Sequence, residues 1–485
     1  MKNLYKLKGY EIALKLSKKE ICAREVTEHF IERINSKEKT FSNFITCDFE
    51  NALKNAAKVD DKRMKGEKLS FLAGIPVGIK DNICTKNLRT TCASKMLEDY
   101  VPIYDAFVVE KIKNANMIIL GKNNMDEFAM GSSGENTVFG IPKNPYDITR
   151  VTGGSSSGSA CAVAAGEAVM TLGTDTGGSV RLPASYCGIV GLKPTYGAVS
   201  RYGLIAFASS FDVIGPMAKC VLDTALISNV IYGYDIQDAS SKDIVFDDFA
   251  KISDFDVKGL RIALPSEYFQ NSNISGEIIE KIKKVALMFE KNGAIVEEVS
   301  IPELEYSLPV YYLVSSAQAS SNLARYDGIR YGYKAKEYSD IEDLYSKSRS
   351  EAFGKEVKRR IILGTYVLSA DQYEKYYHMA VNVQNKIRNS IKNIFQIYDF
   401  IITPSTADTA FKIGEKSGQK DMYSEDLCSV FANISGIPAI TLPCGFDSNN
   451  MPMGVQIASK EFSEEKLFKA AYFIEKEIGF NTNVI

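Results

Sequence analysis

Between residue 9 and about residue 65, apolar side chains recur three and four positions apart, as at Val26, Phe30, Ile31 and Ile34. That spacing predicts an amphipathic helical flank over 1–65. The stretch "LAGIPVGIKD" breaks the rhythm with a compact apolar run edged by Gly and Pro, which reads as a buried strand ending at Lys80 and Asp81. Further on, "GLRIALP" reads as a strand. Ile278, Ile279, Ile282, Val285, Met288 and Phe289 mark a helix closed by Asn292-Gly293, and "AIVEEVSIP" is the next strand. This is a βαβ unit, and "YDFIITP", "AITLPCG" and "MGVQIAS" add buried strands. The acidic, Ser-rich segment from Asp235 to Asp256 reads as an exposed connection. No repeat or low-complexity tract interrupts the chain, so the pattern predicts one large α/β domain over 1–485.

Composition agrees with a folded, globular chain: 45% of the 485 residues are hydrophobic and 24% charged. Lys+Arg total 58 against Asp+Glu 60, so the whole-chain field has no means of holding nucleic acid. The short run "KEVKRR" reads as a solvated helix face. Nine cysteines are scattered without a C-x-x-C pair, which predicts reduced thiols, a cytoplasmic setting and no metal site. The N-terminus alternates lysine with apolar residues, unlike a signal peptide, and no segment reaches membrane-spanning length.

Two glycine-serine clusters carry the candidate chemistry, "RVTGGSSSGSACAVAAG" (150–166) and "GTDTGGSVR" (173–181). In isolation the first suggests a flexible linker. Its flank argues otherwise, because Ser159, Ala160, Cys161, Ala162, Ala164 and Ala165 make a helix of small residues suited to close packing, with Gly153-Gly154 and the serines capping its N-terminus. The missing G-K-[ST] ending and the absence of lysine in the stretch argue against a phosphate loop. A G-x-S-x-G nucleophile elbow needs a preceding strand and a histidine, yet "PKNPYDITRVT" is turn-like and the two histidines, His29 and His378, lie in helical patterns. A serine nucleophile would then need another base. Lysine is the known alternative once burial lowers its pKa, and Lys80 ends a buried run. A lysine merely emerging at a strand end is the competing reading. Thr176, Gly177, Gly178 and Ser179 follow the plausible strand "AVMTLGTD" and can turn backbone N–H groups toward one point, as an oxyanion requires.

These blocks, "GIPVGIKDN", "GGSSSGSA" and "DTGGSVRLPASYCGIVGLKPT", resemble in order and spacing the amidase signature family, over essentially the whole chain. The resemblance implies a mixed central β-sheet sandwiched between helical layers, with a signature region at 70–220 and the remaining sheet and recognition elements at 221–485. It also implies that Ser179 is the nucleophile, Ser155 the proton relay, Lys80 the base, and the N–H groups of Thr176, Gly177, Gly178 and Ser179 the oxyanion hole. Thr152 and Ser157 depart from the family's usual proline and glycine, and Ala198 from a common arginine.

Within the family, "KPTYGAVSRYGLIAFASSFDVIGP", "FGKEVKRRIILGTY" and "MYSEDL" look like the glutaminase subunits of tRNA-dependent amidotransferases. That likeness implies free glutamine as substrate, held by Arg359 at its carboxylate and Asp426 at its ammonium. It implies B and C subunits as partners in a heterotrimer that bind tRNA and use ATP with Mg2+, no cofactor in this chain, and no membrane. A stand-alone amidase acting on a simple amide would share every catalytic motif.

Overall fold

The computed structural model describes residues 3–253, 255–416, 418 and 422–480. Its strands are β1 (Phe44–Cys47), β2 (Pro76–Lys80), β3 (Ile118–Asn123), β4 (Met170–Asp175), β5 (Val190–Lys193), β6 (Val213–Ala218), β7 (Arg261–Pro265), β8 (Ile295–Val299), β9 (Phe400–Pro404), β10 (Ala439–Phe446) and β11 (Pro452–Ser459). They form one mixed sheet in the order β1-β3-β2-β4-β6-β5-β10-β11-β9-β7-β8. Every residue of β2, β4, β5, β6, β9 and β11 is buried. Strands covered on both faces lose the in-out alternation and read as continuous apolar runs, which is why the sequence pattern shows β2, β4, β9 and β11, whereas β5 and β6, equally buried, are not singled out by it.

Parallel pairing occurs at the two flanks, β3-β2-β4 and β9-β7-β8, with antiparallel strands between. The β7–β8 crossover contains the expected helix, Gly276–Lys291, which buries Ile278, Ile282, Val285 and Phe289. The pairing that positions the site is β2 with β4, where Ile79 lies opposite Leu172. Because the two run parallel, their C-terminal ends, Lys80 and Asp175, emerge on the same edge, where ligands of such sheets bind.

One expectation changes, and the exposed connection expected over Asp235 to Asp256 is met with a refinement. The flank is helical at Gly9–Ser17, Ala23–Phe41 and Phe49–Met64, but β1 interrupts it, pairing antiparallel with β3. Four residues are too few to show a period, and the neighbouring edge strand supplies their hydrogen bonds. The segment from Asp235 to Asp256 has no helix or strand among its described residues, yet it is anchored rather than loose. Asp235 accepts from Ser200 Oγ at 2.6 Å, Asp238 pairs with Arg201 at 3.3 Å, and Phe249 is buried against the Tyr232 and Phe468 rings. No helix among the described residues is long and apolar enough to cross a membrane.

Candidate active site

Lys80 closes β2 with its side chain wholly buried. Nζ donates to Ser155 Oγ at 2.8 Å, Ser156 Oγ at 2.9 Å and the Thr174 carbonyl at 3.3 Å. Burial brings its pKa from 10.5 down to about 7, against the opposing pull of Asp126, Asp175, Asp212 and Cys92. Such a lysine exchanges between ammonium and amine at neutral pH, as a base must.

The first cluster leads into a helix, Ser157–Ala164, in which every residue is buried, so the small side chains do serve close packing. The capping expectation is corrected: Ser156 is the N-cap residue, but its side chain makes no capping bond. Its hydroxyl is drawn elsewhere, donating to the Thr174 carbonyl at 3.1 Å while accepting from Thr174 N at 3.2 Å and from Lys80. This distinguishes the neighbouring serines. With the Ser156 proton committed to a carbonyl, Ser155 is the hydroxyl that can return a proton to neutral Lys80. The two loops are joined directly, Ser156 N donating to the Ser179 carbonyl at 3.1 Å.

Asp126 supports the same loop from below. Its N–H donates to the Ser155 carbonyl at 3.1 Å and its carboxylate accepts from Gly134 N and Asn136 N, both at 3.0 Å. A Cβ at Gly154 would overlap that carboxylate. Burial pushes the Asp126 pKa up to about 7, despite those N–H donors and the nearby Lys80.

The second loop is shaped by a pair that the sequence reading passed over. Asp175 and Arg181, both fully buried, meet through Nε–Oδ2 at 3.0 Å and Nη2–Oδ1 at 2.9 Å. Burial alone would raise the Asp175 carboxyl, but the guanidinium holds it well below the ordinary range. Asp175 also accepts from Gly178 N at 2.8 Å, Val180 N at 3.2 Å and Asn433 Nδ2 at 2.8 Å. The Gly178 N–H is therefore engaged and leaves the expected oxyanion set. Those of Thr176, Gly177 and Ser179 make no hydrogen bond among the described residues. Gly178 sits at φ +131°, a conformation that favours glycine, and a Cβ at Gly177 would overlap the Tyr311 ring. The signal was available: Asp175 and Arg181 bracket the loop six residues apart.

Asp426 is buried, accepting from Ser132 Oγ at 2.8 Å and Tyr312 OH at 2.6 Å. Burial raises its pKa to about 6, opposed by those donors and by Arg360. Arg359 lines a cavity of about 260 Å³ together with Ser132, Glu135, Arg360 and Tyr423. It is exposed and ion-paired with Glu356. The "KEVKRR" run is not wholly solvated: Glu356 and Arg360 are buried and paired at 2.7 Å, with the guanidinium over Tyr312 at 4.4 Å and Tyr423 at 4.9 Å. Charge in a sequence does not reveal which face of a helix is covered. Asp426 connects to the Thr176–Ser179 loop through Ser429, whose hydroxyl donates to the Gly177 carbonyl at one end and whose N–H donates to Asp426 O at 3.1 Å.

The histidines stay outside this constellation. His29 stacks on Tyr5 at 5.8 Å and exposed His378 pairs with Glu374 at 2.7 Å. Among the described residues no cluster of three or more His, Cys, Asp or Glu is placed to hold a metal.

Comparison with known proteins identifies the family. The model of the amidase family matches residues 25–468. The A subunit of glutamyl-tRNA(Gln) amidotransferase from Alkaliphilus metalliredigens is 51% identical over 463 residues, covering 95% of this chain and 94% of its own. The protein of the same description from Caldanaerobacter subterraneus is 50% identical, with 99% and 98% covered. The crystal structure of the A subunit of glutamyl-tRNA(Gln) amidotransferase from Thermotoga maritima superposes with a TM-score of 0.82 at 41% identity, covering 99% of this chain and 97% of that one.

Proposed function

Since this chain belongs to the amidase family, we propose that it is the glutaminase subunit of a glutamyl-tRNA(Gln) amidotransferase, releasing ammonia from glutamine by a Ser-Ser-Lys mechanism. The observation that carries the mechanism is the buried Lys80 Nζ, 2.8 Å from Ser155 Oγ on a loop bonded to Ser179. Ser179 Oγ attacks the side-chain amide carbon of glutamine, and its proton passes through Ser155 to neutral Lys80. The N–H groups of Thr176, Gly177 and Ser179 stabilise the oxyanion. The C–N bond then breaks as the leaving nitrogen takes the proton back, and ammonia departs from a glutamyl ester on Ser179. Water, deprotonated by the same relay, cleaves the ester to glutamate and restores the serine.

Arg359 and Asp426 grip the far end of the substrate: arginine matches a carboxylate with two donors, and Asp426 accepts from the ammonium. Ser132 and Tyr423 connect the cavity at Arg359 with the surroundings of Asp426, the first as its donor and the second stacked on Tyr312 at 3.9 Å. The partners are B and C subunits that hold the tRNA and use ATP with Mg2+, so the heterotrimer works in the cytoplasm without a nucleotide site in this chain.

The test is ammonia release from glutamine by the chain alone and then with co-expressed B and C subunits, ATP and glutamyl-tRNA(Gln). The complete set should raise turnover sharply, and Ser179→Ala should abolish it in a folded protein. Unchanged turnover, with simple amides cleaved faster than glutamine, would instead identify a stand-alone amidase.

A further inference from the structure

A cavity of about 390 Å³, larger than the one at Arg359, lies behind the short helix Val430–Ser435. One side of that helix serves the catalytic loop, through Asn433 and Asp175 at 2.8 Å. Its last turn faces away, where Arg388 Nε donates to the Ile434 carbonyl at 2.7 Å. The floor of the cavity is apolar, formed by buried Ile391 and Ile437 with partly buried Phe395 and Phe462. Its lining also includes Lys242, Arg388, Lys392 and Lys460, against the single carboxylate of Glu461. None of these four cations enters an ion pair among the described residues.

Four cationic side chains against one carboxylate leave the lining with a net positive charge, and a concave site concentrates such a field, so the complementary occupant is an anion. Arg388 is held by its Nε contact and keeps its terminal nitrogens available as a two-pronged donor for carboxylate or phosphate oxygens. The floor calls for a flat apolar body, and the volume is at the lower end of small-molecule sites, about 300–1,000 Å³.

We propose that this cavity is a second ligand site, separate from the glutamine pocket, for a small organic anion that carries a phosphate or carboxylate on a ring-sized apolar body. The proposal does not depend on the glutaminase reading.

Isothermal titration with phenyl phosphate and with benzoate tests it, using inorganic phosphate and benzyl alcohol as half-ligands. One organic anion or both should saturate a single site, more tightly than either half-ligand by about tenfold, and the tighter of the two identifies the preferred head group. Arg388→Gln should weaken binding. Because Arg388 also holds the Ile434 carbonyl, the pair Lys392→Gln and Lys460→Gln is the second variant, with the same expected loss. Arg359→Gln, in the other cavity, should leave the affinity unchanged. Absence of saturable binding by the wild type, equal affinity in the Lys392/Lys460 variant, or loss of binding in Arg359→Gln would each overturn the assignment.

Discussion

Replacing Lys80 with methionine keeps most of the aliphatic stem while removing the titrating nitrogen, and the structure gives the consequence a size. In the unfolded chain Lys80 titrates near 10.5, and burial lowers this to about 7 in the folded protein. The difference corresponds to about 5 kcal/mol against burying the ammonium. Below pH 7 both states hold the proton and the full cost is present; above 10.5 neither does and it vanishes. Between these values the unfolded chain binds the extra proton, so this group makes stability rise with pH. From about pH 7 to about pH 9 the contribution is about 2 kcal/mol.

Urea unfolding of wild type and Lys80→Met at the same two pH values measures it, since every other titrating group is common to both proteins. Wild type should gain about 2 kcal/mol more than the variant over that interval. Asp126 acts in the same direction: without the cation its carboxyl titrates higher still, which steepens the variant's loss of stability with pH. The wild-type kcat/KM for glutamine should show an acid limb near pH 7, where Lys80 becomes the amine. Parallel stabilities in the two proteins, or an activity profile that stays flat through neutral pH, would refute the buried-base reasoning.

Asp126→Asn removes the largest charge opposing the fall of the Lys80 pKa, so the acid limb of kcat/KM should move to lower pH; a limb moving upward would contradict the attribution. Arg181→Gln leaves Asp175 a buried, uncompensated anion and should cost about 3–5 kcal/mol by chemical unfolding, with part of that loss recovered when Asp175→Asn is added. If the double variant is no more stable than the single one, the pair is not what the loop depends on. Gly177→Ala should lower ammonia release by about a hundredfold at nearly unchanged binding of glutamine, because a Cβ there drives the loop from Tyr311 and misplaces an oxyanion donor. Near-normal turnover would show that this N–H is not used.

The legible and illegible parts of this site differ for a physical reason. Lys80 could be found because it terminates β2, whose burial on both faces leaves an unbroken apolar run, and a lysine at the end of such a run is visibly out of place. Ser155 and Ser156 are adjacent and chemically identical, so only the direction of each hydroxyl separates a relay from an anchored acceptor, and direction belongs to the folded loop. Arg359 and Arg360 pose the same difficulty on a helix. One is exposed and the other buried over two rings, a distinction fixed by Tyr312 and Tyr423, which come from elsewhere in the chain. The β1 strand was hidden because its partner, β3, lies far along the chain, beyond two helices and β2.

What the separate motifs could not reveal is their mechanical connection. Asp426 and Ser429 belong to one turn, and that turn reaches the catalytic loop at two places: the Ser429 hydroxyl on the Gly177 carbonyl, and the Ser429 carbonyl on Arg181 Nη1 at 2.8 Å. Arg181 in turn holds Asp175, and Asp175 holds Gly178 N, so the peptide groups that would receive the oxyanion are positioned by the turn that carries the proposed ammonium acceptor. A substrate gripped at Asp426 thus bears on the same framework that orients the donors at the reacting carbonyl. Binding at the remote end can then favour the transition state over the ground state, which raises turnover as well as affinity. On the proposed reading a simple amide would occupy the oxyanion loop without engaging that turn, so glutamine should be cleaved with the higher kcat as well as the lower KM, and equal kcat values for the two would refute the connection.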